Sequence, residues 1–529
     1  MININFTKLK NIFFKKQVSN PLEYLHENII NKNYKIENSL EEDFYKNSNT
    51  KHQIPKESQV HSSHFIRDFK LILDNCSPTS SPYFIGHMTS SLPNFLLELA
   101  KLITEKNQNL VKVETSKSFT KMELDCLYML HNLIYQNHDY FYSEVNLNSQ
   151  FSLGSFCSGG TIANLTALWA ARNNLLGPSK NFQGVQSEGV VAALRYYGYK
   201  NLAVIVSERA HYSIKKSVDI LGLGINIIHT IPTDKDHKIR TDLLEQKMNE
   251  LESQQIKVLT IVGIAGSTET GHVDDLLTMS IIAKKYQCHF HVDAAWGGAT
   301  MTSARYKHIL KGIEQADSVT VDAHKQFYIP MGLGMILFKK PQLSKNITHH
   351  ANYILRKNSN DLGRFSIEGS RSGMSLMLYV SFKVFGLNGY ELLINESIEK
   401  AKQFSRMIKE SKNFQLITHP ELCILTYRYL PNKIQKLINR DNNDYIHTKI
   451  NDLNVKIQEK QKQNGNSFVS RTKLFNYQYG YTMDVFRVVL ANPLTQEKHL
   501  KKILHEQEKI GQNLFDTLVK FTEKECEYN

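Results

Sequence analysis

The chain has 529 residues, 41% hydrophobic and 22% charged, the balance of an ordinary globular protein long enough to bury a sizeable core. Its net charge of +13 would suit a nucleic-acid partner, but the lysines are scattered among Asn and Ile rather than gathered into a basic stripe, which argues against that class and leaves a surface that attracts acidic substrates. Nothing approaches the ~18 consecutive apolar residues of a membrane span, and Cys76, Cys126, Cys157, Cys288, Cys423 and Cys526 show no CxxC pair or regular spacing, against a disulfide framework or zinc knuckle and for a reducing compartment.

The first 60 residues are polar, with short helical patterns at 21–28 and 40–45, and read as a loosely packed arm. The opening MININFTKLKNIFFKKQVSN is too broken for a signal peptide and lacks a small-residue cleavage site, so a cytoplasmic location is expected. An amphipathic helix is predicted over 64–74. A Gly/Pro/Ser-punctuated loop follows, SPYFIGHMTSSLPNF, carrying Tyr83, Phe84 and His87. Apolar residues at three- and four-residue spacing predict helices at 94–104 and 121–136. From 150 the chain alternates. A glycine turn opens into a helix with Leu165, Leu168 and Trp169 on one face, then come strands at 202–206, 225–232 and 258–264, with helices starting near Ala210 and at 276–285. Short buried strands separated by helices mean an α/β fold with a mostly parallel sheet covered on both faces. Residues 345–366 are weakly patterned and read as a mobile loop. EGSRSGMSLMLYVSF then begins a long helix leading to a smaller α+β domain, with strands at 422–429, 467–472 and 483–490 and helices at 443–463 and 495–522. The predicted divisions are an arm over 1–60, a helical segment over 61–125, a large domain over 126–375 and a small one over 376–529.

Two predicted strands carry chemistry at their ends. The run 288–292 delivers Asp293 followed by AAWGG, and 318–321 delivers Asp322-Ala323-His324-Lys325. Open α/β sheets bind ligands at this carboxyl edge. A lysine set between an apolar strand and Gln326, Phe327 and Tyr328 is no solvated surface residue. Its commonest role is an ion pair, but desolvation also makes a lysine nucleophilic toward an aldehyde. A buried carboxylate such as Asp293 needs a cation, and a pyridinium N–H would be one. Together they predict a pyridoxal 5'-phosphate site, with Lys325 as Schiff-base partner and Asp293 on the ring nitrogen. Ser158-Gly159-Gly160-Thr161 opens a helix whose free N–H groups suit a phosphate, without the GK[ST] or GxGxxG of nucleotide sites. His324 is a phosphate ligand or a loop hydrogen bond. His211 stacks on a planar cofactor or caps its helix. Ser267 and Thr268 end another strand and could reach the same cleft. His289 and His291 are spaced like a metal pair, but no third ligand accompanies them, so no metal is expected.

In chain order, SGGTIANLTAL, SERAHYS, GSTETGHVDD, HVDAAWGG, DAHK and FRVVLANP resemble the group II PLP-dependent amino-acid decarboxylases over roughly residues 80 to 520. The resemblance implies fold type I, the aspartate-aminotransferase-like fold, and a homodimer with shared active sites, so that 61–125 would help form the dimer. It assigns Lys325 the Schiff base, Asp293 the pyridine nitrogen, His211 one ring face and Ala295 the other, with Gly160, Thr161 and His324 around the phosphate. Arg487, in FRVVLANP, matches the arginine used for a substrate carboxylate; an inter-domain salt bridge is its alternative. His87 and Phe84 are further substrate-side candidates. Tyr353, in the 345–366 loop, is the candidate for protonating Cα. Most of the family reads DAHKW where this chain has Gln326. With SPYFIGHM, LVKVETSKSFT and EGSRSG, that variant is similar to the bacterial branch acting on aspartate, which makes β-alanine for pantothenate synthesis. Glutamate, cysteine sulfinate, diaminobutyrate or an aromatic amino acid are alternative substrates, and a non-catalytic scaffold is the alternative of another class.

Overall fold

The computed structural model describes residues 56, 67, 72–73, 76–351, 359–432, 434–435, 444–476 and 480–526. The arm expected over 1–60, all but Lys56, most of the 64–74 helix, and Tyr353 lie outside the described residues. The described chain divides into two units, one over 92–398 with 420–422, the other over 76–91, 399–419 and 423 onward.

The first unit holds a seven-stranded sheet: β1 (Gly154–Cys157), β2 (Asn201–Ser207), β3 (Ile228–Ile231), β4 (Ile256–Ile264), β5 (His289–Asp293), β6 (Ser318–Asp322) and β7 (Gly334–Phe338). Their spatial order is β1-β7-β6-β5-β4-β2-β3. Strands β3, β2, β4, β5 and β6 run parallel, whereas β7 is antiparallel to both β6 and β1. The mostly parallel sheet is as the sequence predicts; the reversal at β7 is not. Because β7 reverses and β1 reverses again, β1 points the same way as β6. Central strands are buried without alternation, since helices cover both faces.

The helices are α1 (Phe95–Lys106), α2 (Ser118–Tyr135), α3 (Asp139–Leu147), α4 (Gly160–Leu175), α5 (Val185–Tyr197), α6 (Ser213–Ile220), α7 (Thr241–Ser253), α8 (Leu276–Lys285) and α9 (Ser375–Glu410), the last interrupted at Gly386. Helix α4 departs most from expectation. Leu165 and Leu168 are buried, but so are Asn164, Thr166 and Asn173, leaving hardly any face to solvent. Its alanines pack on Val204, Val206, Leu259 and Val262 of the sheet, and α6 covers another side. Smaller differences are that α6 starts at Ser213 rather than near Ala210, and that 225–227 form a 3-10 turn before β3. Within 345–366, residues Leu362–Phe365 form a buried 3-10 turn, where Arg364 donates to the carbonyls of Ser149 and Ser359 at 3.0 and 2.8 Å.

The second unit contains a four-stranded antiparallel sheet, β8 (Phe414–Thr418), β9 (Ile424–Tyr429), β10 (Ser470–Asn476) and β11 (Tyr481–Val489), in the order β10-β11-β9-β8, with helices α10 (Asp444–Asn464) and α11 (Glu497–Cys526). Strand β8 has no counterpart in the sequence prediction. The segment around Phe84 joins this unit: the Ile85 N–H donates to the Phe468 carbonyl at 3.0 Å, and the Val489 N–H to the Ile85 carbonyl at 2.7 Å.

Candidate active site

The sheet register of the first unit gathers the chemistry at one edge. Gly334 pairs with Cys157 on one side and Asp322 on the other, so the end of β1, which feeds the glycine turn, stands two strands from the end of β6, which feeds Lys325. Asp293 closes β5 in register with Thr320 of β6 and Ile264 of β4. The strand-end acids and the helix start therefore share one edge.

Asp322 is the hub of this edge. Its Oδ2 lies 3.2 Å from Lys325 Nζ and 3.4 Å from His324 Nε2. The Leu333 N–H donates to His324 Nδ1 at 3.3 Å, so that nitrogen accepts and Nε2 carries the proton facing Asp322. A Cβ at Gly160 would come within 2.9 Å of Asp322 Oδ2 and 3.2 Å of the Ala295 Cβ; one at Gly159 would come within 3.1 Å of His324 Cε1. Only glycines let the α4 N-terminus approach β6 this closely. Sequence reasoning places Asp322 at a strand end but gives it no role. The signal, an acid three residues before the lysine, was available.

Asp293 is buried, its relative exposure 9%, and its two oxygens have separate donors. Oδ2 accepts from Asn164 Nδ2 at 2.8 Å and Oδ1 from the Ala295 N–H at 3.1 Å. His211 is half-buried, and its Nδ1 accepts from the Ser213 N–H at 3.2 Å, the helix-capping geometry. Burial lowers the His211 pKa; the charges of Asp293 and Asp322 push it up, and those of Lys325 and Lys216 push it down. Ser267 is buried, sharing a 2.7 Å hydroxyl contact with Thr270 and accepting from the Thr270 N–H at 3.3 Å, so its hydroxyl serves its own turn. Thr268 and Thr161 are half-buried. His289 and His291 both reach the Ser318 hydroxyl, at 2.7 and 2.9 Å. Among the described residues no group of three or more His, Cys, Asp and Glu could hold a metal ion.

The second unit brings the substrate-side candidates together by itself. Arg487 on β11 is buried, and its Nη1 donates to the Gly86 carbonyl at 3.3 Å, joining positions 401 residues apart. Phe84 is buried and stacks on Phe468 with ring centroids 4.7 Å apart. His87 is exposed, with its Nδ1 3.0 Å from the Thr89 hydroxyl.

Residues 46–430 match the family described as pyridoxal-dependent decarboxylase conserved domain. An aspartate 1-decarboxylase of Aliivibrio fischeri is 48% identical over 94% of this chain and 91% of its own length. An L-2,4-diaminobutyrate decarboxylase of Acinetobacter baumannii is 25% identical over 82% of this chain and 84% of its own. Among solved structures, mouse CSAD superposes with a TM-score of 0.79, covering 93% of this chain and 99% of that one at 22% identity, a likeness that speaks for the fold.

Proposed function

The chain belongs to the pyridoxal-dependent decarboxylase family, and from that premise we propose that it removes the α-carboxylate of L-aspartate to give β-alanine and CO2. The architecture is the α/β fold of those enzymes, and the cofactor is pyridoxal 5'-phosphate. The residues present fit that group. Each oxygen of Asp293 takes one backbone or amide donor, which leaves lone pairs for a pyridine N–H. The approach of Gly159 and Gly160 to His324 and Asp322 leaves no room for a Cβ, at the start of the 16-residue helix α4, where free N–H groups suit a phosphate.

When bound, the cofactor supplies an electron sink for the pair released as the carboxylate leaves. In the proposed assignment the Lys325 amine holds the cofactor aldehyde, and Asp293 fixes the ring through its nitrogen. His211 would cover one ring face and Ala295 the other. Gly160, Thr161 and His324 would surround the phosphate, with Ser267 and Thr268 near the same edge. Arg487 presents a planar guanidinium that can grip a substrate carboxylate with two parallel hydrogen bonds. Tyr353 delivers the proton to Cα from its phenol oxygen.

Aspartate is assigned rather than diaminobutyrate because the likeness to the Aliivibrio fischeri enzyme, 48% over 94% of the chain, far exceeds the 25% to the diaminobutyrate enzyme. Arg487 supports an acidic over an aromatic substrate. The product would feed pantothenate synthesis. Incubation with aspartate, glutamate, cysteine sulfinate and diaminobutyrate, reading CO2 release, tests the assignment: aspartate should turn over fastest, and a faster rate on glutamate would overturn it.

The proposed assembly is a homodimer. It is supported by Leu97 and Leu102 on α1 and Val384 and Leu387 on α9, all exposed on helices whose Phe95 and Phe385 rings touch at 5.8 Å. Light scattering of the purified protein should give twice the 60.9 kDa chain mass; the mass of a single chain would refute it. The proposed compartment is the cytoplasm, supported by the free thiols of Cys76, Cys126, Cys157, Cys288 and Cys423, and fractionation of the source cells would test it. Among the described residues no helix is long and apolar enough to cross a membrane.

A further inference from the structure

Asp293 is the end of a row of buried polar side chains that its own role does not require. Asn164, in the second turn of α4, is 1% exposed, and its Nδ2 donates to Asp293 Oδ2 at 2.8 Å and to the Ser213 hydroxyl at 2.9 Å. A carboxylate only accepts, so the orientation of this amide is fixed. Asn164 Oδ1 can then only accept, and His291 Nε2, 3.0 Å away, must carry the proton. His291 Nδ1 is left to accept from the Ser318 hydroxyl at 2.9 Å, although the Ser318 carbonyl, itself only an acceptor, lies 3.2 Å from the same nitrogen. Having given up its one proton, the Ser318 oxygen accepts from His289 Nε2 at 2.7 Å. With that tautomer the row has one sense, His289 to Ser318 to His291 to Asn164 to Asp293.

Burial makes this row costly as packing material. His291 and Ser318 are fully buried, and apolar residues would fill such positions between a helix and a sheet without the desolvation penalty. The alternation of β5 explains how they meet: with period two, His289, His291 and Asp293 fall on one face, and Phe290 and Val292 on the other. We propose that Asn164 and His291 are positioning residues that hold the Asp293 carboxylate in the orientation required by the pyridine nitrogen of the cofactor, an inference that rests on the assignment of Asp293 to that nitrogen. Asn164 grips Oδ2 while the Ala295 N–H grips Oδ1, so donors from two different segments fix the carboxylate plane. The His291 N–H prevents the Asn164 amide from turning over, which would set its oxygen against the carboxylate. Burial also lowers the His291 pKa to about 4, so near neutral pH the imidazole is uncharged and the row keeps its single sense.

The test is cofactor binding to apoprotein, read from quenching of Trp169 and Trp296 fluorescence as pyridoxal phosphate is added, with the melting temperature of each apoprotein as a check on folding. Asn164→Leu, of similar shape but without a donor, is expected to weaken binding by about 10- to 100-fold, the range typical when the outer partner of a ligating group is lost. His291→Leu should do the same, while His291→Gln, whose amide can still donate to Asn164, should bind within about threefold of wild type. Asp293→Asn is measured alongside. If it binds like wild type, the assignment of Asp293 fails; if it weakens binding while Asn164→Leu and His291→Leu do not, the positioning role fails and the assignment stands. Equal damage from His291→Gln and His291→Leu would mean that the ring matters for packing, and would also overturn the proposal. Should Asn164→Leu show no cooperative melt, the two His291 variants decide.

Discussion

At the scale of single residues, the chemistry is concentrated in side chains with defined partners. Lys325 lies beside Asp322, and Asp293 is held by two donors. For the proposed substrate grip, Arg487→Lys keeps the charge but loses the planar fork, so KM for aspartate should rise about tenfold, equivalent to ~1.4 kcal/mol, with kcat nearly unchanged; steady-state kinetics read this directly. A fall in kcat alone would remove Arg487 from the substrate's ground-state binding. For the proposed proton donor, Tyr353→Phe should reduce β-alanine formation by at least about 100-fold while leaving cofactor binding intact. Unaltered turnover would assign the proton to another group.

At the scale of elements, the close approach of β1, β6 and β7 carries a cost for any added atom. A Cβ at Gly334 would overlap Asp322 Oδ1 and come within 2.7 Å of the Gly159 Cα. Gly334→Ala should therefore destabilise the protein by ~1–3 kcal/mol, as overpacking does, and lower the urea midpoint; an unchanged midpoint would show that the glycine turn can yield. The elements also show how much was legible in the sequence. Asp293 and Lys325 could be read because an apolar run ending in an acid or a lysine marks a strand end locally. Asn164 could not be read as part of the site, because in α4 it looks like one polar residue among several, and its burial comes from the sheet and α6 packing around it. The reversal at β7 was hidden for the same reason: GMILF spells a buried strand in either direction. Strand β8, Phe414–Thr418, has interior positions only partly buried, too mixed a pattern to announce itself.

At the scale of the whole molecule, acid sensitivity follows from the buried imidazoles. His131, His237 and His291 are each lowered by burial from 6.5 to about 4. Between pH 6.5 and 4 the unfolded chain takes up these protons and the folded one does not, so stability, full above 6.5, is lost as the pH falls. Asp274 acts in the opposite sense. Burial raises it from 3.8 to about 7, so the folded state takes up its proton first and gains as pH falls over 7 to 3.8. The imidazoles outweigh this one carboxyl, and the urea midpoint should decline from pH 6.5 toward 4. His131→Gln should make that decline shallower; a midpoint flat over this interval would show the imidazoles to be charged in the folded state.

The hydrogen bonds from 83–86 to Phe468, Arg487 and Val489 have a consequence for how the chain is made. Synthesis delivers residues 76–91 early and β10 and β11 almost last, while the described first unit, 92–398 with 420–422, emerges between them. A ribosome that has reached residue 430 has released everything needed for the parallel sheet, yet the early segment still waits for partners nearly forty residues away from being translated. The nascent protein can thus place Lys325 and Asp293 on their strand ends before Arg487 exists. A chain stopped short of β11 would leave the backbone of Ile85 and Gly86 without its natural seat, a handle by which quality control could distinguish interrupted from finished molecules.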